Sequence, residues 1–568
     1  MKLLPKVKKA EELEGFLSKN YIKPYTKTID ERLKKAIDKL ECKDDGVELI
    51  IETKGTDSEK YTLEIGKESI KIVSDGLNGA FYAIQTLRQI LKNDVIHCLH
   101  IEDEPDFSYR GLYHDMTRGK IATVDTLKKL IDTMAYYKMN SLQIYVEHTF
   151  EFEETKDIIE RTGYITKEEI EELDRYCDEN FIEFIPSIAT FGHMYEILEQ
   201  DKYKHLRVLK NYETPKNFWL ARMRHHTIDP LNDESFEMVK SLIDQYYPLF
   251  KTDKFNICGD ETFDLKNYDS GADTGKLYFD FIQKIINHVK SKGKKVMMWA
   301  DILLEHPELI DKLPDDIYFL NWDYSKNPNE KRVEKLAQLC KKQIVCPGTS
   351  SWSRLCENVD CEEQNISRMI EYGYRHGAIG VLNTNWGDYA NPASIELAMY
   401  GITLGAVKSW AVDTETDDEF YAEINDLLYG GDNAIEILRK ISDVHNAIGT
   451  DWNDFCSKYI ELRYGEVMAS DVRVKGEEIQ KAPDKCMEIV AELSNQKWTY
   501  DEARQEMIIC AEGICVLAQL WGKMLNIDVK KYVDEKEWLK KYQQKWLKKN
   551  KESELTKISE MILWLADM

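Results

Sequence analysis

Asp260 and Glu261 are adjacent acids, and adjacency of that kind has chemical consequences. Two carboxyl groups this close repel when both are ionised, which raises one pKa and can keep one acid protonated near neutral pH. One group then donates a proton while its neighbour stabilises positive charge, the division of labour used in general acid catalysis. Neighbours in a regular strand face opposite sides, so both reach one pocket only where a strand ends and the backbone turns. The pair follows the apolar run Phe255–Cys258, where such an ending is expected. Trp299, Trp322, Trp352 and Trp386 follow four later runs, although the chain has only 12 Trp in 568 residues. Indole faces stack on the apolar side of sugar rings, and carboxylates accept hydrogen bonds from sugar hydroxyls, so acids and Trp gathered at strand ends point to a carbohydrate site. Asp115, Arg118, Glu147, His148, His193, Tyr324 and Asp388 occupy similar positions, with Arg110 inside the first run.

A scaffold that brings eight strand ends to one face is needed to gather these residues. Eight short apolar runs, Tyr109–Tyr113, Leu142–Val146, Phe184–Ser187, Phe255–Cys258, Lys295–Trp299, Ile317–Asn321, Gln343–Pro347 and Ile379–Thr384, provide it. Helix-periodic segments such as Thr123–Tyr137, Lys167–Glu179, Phe236–Phe250 and Lys276–Val289 lie between most of them. This alternation over about 300 residues predicts an α/β fold, a (β/α)₈ TIM barrel with its site at the C-terminal ends of the strands. Residues 1–104 mix β-like runs (Val47–Ile51, Ser69–Val73) with a helical stripe over Asn78–Leu91 and read as a small α+β domain. The barrel is assigned to 105–410 and an α-helical domain to 411–568. In that last part the basic run Lys540–Lys551 around Trp546 reads as a solvated helix face.

Composition narrows the partners. With 77 Lys+Arg against 102 Asp+Glu the net charge is −25, which repels phosphate backbones and anionic lipid. Nucleic acid and membrane are therefore not expected as partners. The first fifteen residues lack the apolar run of a secretory signal, and no run reaches 18 consecutive apolar residues. Twelve scattered Cys do not form a disulfide framework, so reduced thiols and a cytoplasmic location are expected.

Several motifs in one order then resemble a known family. Asn256–Thr262 resembles the Gly-x-Asp-Glu signature of glycoside hydrolase family 20, the β-N-acetylhexosaminidases, and Tyr145-Val146-Glu147 resembles the Tyr-x-Glu of that family's intracellular bacterial branch. Tyr109–Arg118 is similar to that family's opening barrel strand, Arg-Gly-x-x-x-Asp-x-x-Arg. Lys138-Met139-Asn140 resembles its Lys-x-Asn, Phe191-Gly192-His193 its Pro-Gly-His, Trp386-Gly387-Asp388 its Trp-Gly-Glu, and Gln85–Gln89 a helix of its preceding α+β domain.

The resemblance implies an exo-acting retaining hydrolase in which the substrate's own 2-acetamido oxygen attacks the anomeric carbon. It implies Glu261 as general acid and base and Asp260 as the group that orients the acetamido nitrogen. Arg110 would bind sugar hydroxyls, Asp388 would accept from the 4- or 6-hydroxyl, Trp299, Trp322 and Trp386 would line the pocket, and His193 would stand behind Glu261. Two departures from the pattern follow. The family's His-x-His-x-x-Asp is absent, Glu147 being the substitute available, and no Tyr occurs in Cys346–Trp352 to hold the acetamido oxygen. Tyr145 or Tyr324 would replace that Tyr, and Trp352 would reshape the pocket. The expected substrate is a β-N-acetylhexosaminide oligosaccharide or glycoconjugate, with no cofactor and no metal, and the oligomeric state is left open between monomer and homodimer. The competing readings are a sugar-binding protein without turnover and a metal-dependent barrel hydrolase using His148, His193, Asp115 and Asp260.

Overall fold

A computed structural model describes residues 2–159, 163–210, 222, 226–268, 271, 273–340, 342–466 and 474–568. The N-terminal part is a five-stranded sheet of β1 (Lys9–Phe16), β2 (Glu48–Thr53), β3 (Tyr61–Ile65), β4 (Ser69–Ser74) and β5 (His97–Asp103), in the order β1-β5-β3-β4-β2. All its pairings are antiparallel except that of β2 with β4. The helix Leu77–Ile90 is buried nearly all round. It packs on the sheet and also meets the barrel, where Phe81 lies 4.7 Å from the Phe181 ring and Tyr82 5.1 Å from Trp410.

The eight apolar runs form the expected closed parallel barrel. Its strands are β6 (Tyr109–Asp115), β7 (Ser141–Val146), β8 (Glu183–Ile188), β9 (Lys254–Asn256), β10 (Lys295–Trp299), β11 (Tyr318–Trp322), β12 (Gln343–Cys346) and β13 (Gly380–Asn385), with β13 pairing β6 to close the ring. The runs are apolar throughout because both faces are covered: Tyr113, Ile185, Met297, Leu320 and Leu382 fill the lumen, and helices cover the outside. Capping side chains start the surrounding helices, as at Lys167–Glu179, where Thr166 and Glu169 form a reciprocal capping box.

The N-terminal ends of the strands dock on the small sheet domain, and Arg110 belongs there. It is fully buried as the second residue of β6, its guanidinium donating to Glu59 Oε2 (2.7 Å) and Oε1 (3.0 Å) and to the carbonyls of Phe107 and Lys138. The expectation that Arg110 binds sugar is therefore corrected: it faces the end of the barrel opposite the site and joins two domains. Lys138, from the same joint, donates to Asp103 at 2.9 Å.

Beyond β13, the helix Ile395–Trp410 covers the barrel, and helices follow to the end of the chain. Asp501–Leu525 is long and apolar enough to cross a membrane by length and composition, and 83% of its apolar window is buried among its neighbours. The final part departs from the expected solvated face. In the helix Glu535–Lys549 the side chains of Trp538, Tyr542, Trp546 and Lys549 are buried: Trp538 packs on the helix Asp501–Leu525, donating to the Ile509 carbonyl, and Tyr542 and the segment after the helix pack on the barrel.

Candidate active site

The carboxyl ends of the strands enclose a cavity of about 170 Å³. Asp260, Glu261, His193, Trp299, Trp322, Tyr324, Trp352, Trp386 and Asp388 line it, together with Arg118. Of the residues expected in the pocket, Glu147 and Arg110 are not in its wall.

β9 stops at Asn256, and Cys258 (φ 55°), Gly259 (φ 81°) and Glu261 (φ 47°) then take left-handed conformations. That turn allows two adjacent acids to share one pocket. Strain of this sort persists only where the surroundings fix it. Here the Glu261 N–H donates to Asp301 Oδ2 (3.1 Å), and the Gly259 carbonyl accepts from the Tyr278 hydroxyl (2.7 Å).

His193 reaches the pair from the loop after β8. Gly192 is required there, because a Cβ would fall 2.5 Å from the Asp260 carbonyl oxygen. His193 Nε2 lies 3.3 Å from Glu261 Oε2 and 3.5 Å from Asp260 Oδ2. Burial opposes a charge on His193, yet the nearby Asp260 and Glu261 carboxyls raise its pKa to about 10. On its other side Nδ1 faces Arg118 Nη2, a donor, at 3.2 Å and Glu147 Oε1 at 3.8 Å.

The expectation that the acidic pair itself keeps a proton changes accordingly. Burial pushes Glu261 up, but the adjacent His193 outweighs it and brings the carboxyl below its ordinary value. The carboxyls held up are at the edges of the site. Burial, reinforced by the charge of Asp260, raises Asp301 to about 7, and burial raises Asp388 to about 6 against the opposing pull of Arg118.

Arg118 is the cation that the sequence reading did not assign to the pocket. Its guanidinium lies 5.0 Å from the ring centres of both Tyr145 and Trp386 and faces Asp115, Glu147 and Asp388, each at 3.5 Å. Its signal was available, since it follows the first strand whereas Arg110 begins it. Asp301 had a weaker signal, its place two residues after Trp299. Glu147 stands behind His193 and Arg118 and accepts from the Tyr145 hydroxyl (2.9 Å). Asp115, a metal ligand in the competing reading, accepts instead from the backbone N–H of Thr117, Arg118 and Gly387.

Aromatic rings form the remaining wall. Trp322 stacks on Tyr324 at 5.1 Å, Tyr324 lies 5.3 Å from Trp352, and Trp299 lies 6.0 Å from Trp386. The Trp386 indole N–H donates to the Tyr324 hydroxyl oxygen at 2.8 Å, which leaves the Tyr324 proton directed elsewhere. Gly348, in the segment lacking a Tyr, admits this ring, since a Cβ there would fall 2.9 Å from Tyr324.

Comparison with known proteins agrees with this architecture. The model for the glycosyl hydrolase family 20 catalytic domain matches residues 107–379, and the model for that family's domain 2 matches 6–104. A β-hexosaminidase of Porphyromonas gingivalis is 27% identical over 283 residues, covering 43% of this chain and 36% of the relative. A β-hexosaminidase of Emericella nidulans is 24% identical over 309 residues, covering 49% and 51%. The chain thus spans about a third to a half of the length of these curated relatives. The crystal structure of Flavobacterium johnsoniae chitobiase superposes with a TM-score of 0.61 at 17% identity over 95% of both chains, a likeness of fold. With two family models together matching most of the chain, and the paired acids at the mouth of the eight-stranded barrel, the chain belongs to glycoside hydrolase family 20.

Proposed function

We propose that this chain is an exo-acting, retaining β-N-acetylhexosaminidase that removes terminal β-linked N-acetylglucosamine or N-acetylgalactosamine, with the substrate's acetamido oxygen as nucleophile. The observation that carries the reading is that the adjacent acids Asp260 and Glu261 enter one cavity walled by indoles. Two-acid glycosidases place their carboxyl groups on either side of the scissile bond, whereas an adjacent pair suits one acid and one group that orients the acetamide. The β-hexosaminidase relatives support the same activity. At about 170 Å³ the cavity is smaller than the roughly 300–1,000 Å³ of common ligand sites, which suits one terminal sugar.

In this reading Glu261 protonates the leaving oxygen and then, as the carboxylate, takes a proton from the attacking water. His193 holds the proton in the empty site and returns it to Glu261 when the glycosidic oxygen arrives. Asp260 accepts from the acetamido N–H and stabilises the charge on the oxazolinium ring. Tyr324 takes the place of the absent Tyr: it lines the cavity, its oxygen accepts from Trp386, and its O–H donates to the acetamido oxygen when the sugar is bound. Tyr145 is committed to Glu147. Arg118 and Asp388 hold the sugar hydroxyls, and Trp299, Trp322, Trp352 and Trp386 enclose the ring and the acetamido methyl.

The test compares kcat/KM for an aryl β-N-acetylglucosaminide and the corresponding aryl β-glucoside. Loss of the internal nucleophile is expected to slow the glucoside by orders of magnitude, and equal rates would overturn the reading.

A further inference from the structure

Arg118 and Asp388 stand on two loops, one after β6 and one after β13. The second loop holds Asp388 (φ 42°), Ala390 (φ 62°) and Asn391 (φ 46°) in left-handed backbone, which neighbours must enforce. The loops brace each other in part. Gly119 (φ 98°) approaches so closely that a Cβ would fall 2.6 Å from the Cα of Ala390, and the Lys120 ammonium donates to the Ala393 carbonyl.

The rest of the support comes from the C-terminal helices, a part of the chain outside both family matches. Residues 549–554 run along the first loop as an antiparallel strap. Thr123 N–H donates to the Lys549 carbonyl (2.9 Å), Ala122 bridges Asn550, Lys551 N–H donates to Ile121 (2.8 Å), and Glu554 N–H donates to Gly119 (3.2 Å). The Trp546 indole donates to the Lys551 carbonyl at 2.9 Å and so fixes the strap, and its ring lies 4.5 Å from the Lys120 ammonium. On the second loop, the buried Tyr542 hydroxyl donates to the Pro392 carbonyl at 2.9 Å. One helix therefore ties down both loops, through Trp546 and Tyr542.

We propose that the C-terminal helices are a working part of the active site: Tyr542 and Trp546 are positioning residues that set the spacing of Arg118 and Asp388 and thereby the grip on the terminal sugar's hydroxyls. Neither residue lines the cavity, so each acts through the loops. The inference rests on the hexosaminidase reading for the identity of the sugar.

The experiment uses the full chain with Tyr542→Phe and Trp546→Phe, each of which removes one hydrogen bond and keeps a ring. Tyr532→Phe, which removes a hydroxyl bonded to Asp484 within the same helical part, is the control. Affinity for free N-acetylglucosamine is measured by calorimetry, and kcat and KM are measured on aryl N-acetylglucosaminide and N-acetylgalactosaminide. For the two positioning variants, sugar affinity is expected to weaken and KM to rise by roughly 3- to 10-fold, the scale of one lost hydrogen bond, with kcat changed far less. The preference between the two sugars, which differ only at the 4-hydroxyl, is expected to narrow, and the control is expected to match wild type. A lower Tm with unchanged sugar affinity, KM and preference would reduce Tyr542 and Trp546 to packing and overturn the inference. Sugar affinity is read without turnover, so an inactive wild-type enzyme would count against the hexosaminidase reading, whereas unaltered affinity in the variants counts against this inference alone.

Discussion

His193 Nε2 lies 3.3 Å from Glu261 Oε2 and 3.5 Å from Asp260 Oδ2, which sets one imidazole against both acids. Glu261 is drawn below its ordinary pKa by this neighbour while His193 is raised to about 10. A general acid with a depressed pKa is a poor donor when considered alone. In the proposed mechanism His193 holds the proton until a basic oxygen arrives, and Glu261 then stays competent well above its own pKa.

The pH profile of a His193→Asn variant checks this arrangement. In wild type the proton on His193 is lost only as pH rises through its high pKa, so the alkaline limb lies far up. Without the imidazole, the proton must stay on a buried carboxyl, and the alkaline limb is expected to move to lower pH by more than one unit. A kcat/KM profile that keeps the wild-type alkaline limb would show that His193 does not hold the proton.

Arg110 and Arg118, eight positions apart on one strand and its loop, are expected to fail differently. Arg110→Met strands Glu59 in the domain joint, and removing one partner of a buried pair costs about 3–5 kcal/mol. Its Tm should fall steeply while the folded fraction keeps the wild-type KM. Arg118→Met, by contrast, should raise KM strongly. An Arg110 variant with normal Tm and weakened substrate binding would restore the sugar-binding role.

Tyr324→Phe removes the hydroxyl proposed to hold the acetamido oxygen. Donors of this kind are worth roughly 10²–10³ in kcat, and a loss of that order is expected. Tyr145→Phe should lose less, because its hydroxyl reaches Glu147 rather than the cavity. A reversal of that order, measured as kcat on the aryl N-acetylglucosaminide, would reassign the two tyrosines.

The barrel was legible in the sequence because its strands are buried on both faces and so appear as unbroken apolar runs between helix-periodic segments. The acidic pair was legible because it ends such a run. Two features depended on contacts distant in sequence. Glu59, 51 positions before Arg110, decides that Arg110 belongs to the domain joint, and no local pattern announces that partner. His193, placed 3.5 Å or less from both acids by a turn at Gly192, draws the Glu261 carboxyl below its ordinary pKa, the reverse of what the pair alone implies. The buried face of the basic tail is hidden for a similar reason: its Lys residues outnumber the buried ring positions, and its partners Lys120 and Pro392 are distant in sequence.

The central claim, that Glu261 is the general acid and base of an N-acetylhexosaminidase, is tested most directly by release of chromophore from aryl β-N-acetylglucosaminide by wild type and Glu261→Gln side by side. Wild-type turnover that falls by at least ~10²–10⁴-fold in the variant, with Tm unchanged, is the predicted result. Equal turnover in the two proteins would contradict it.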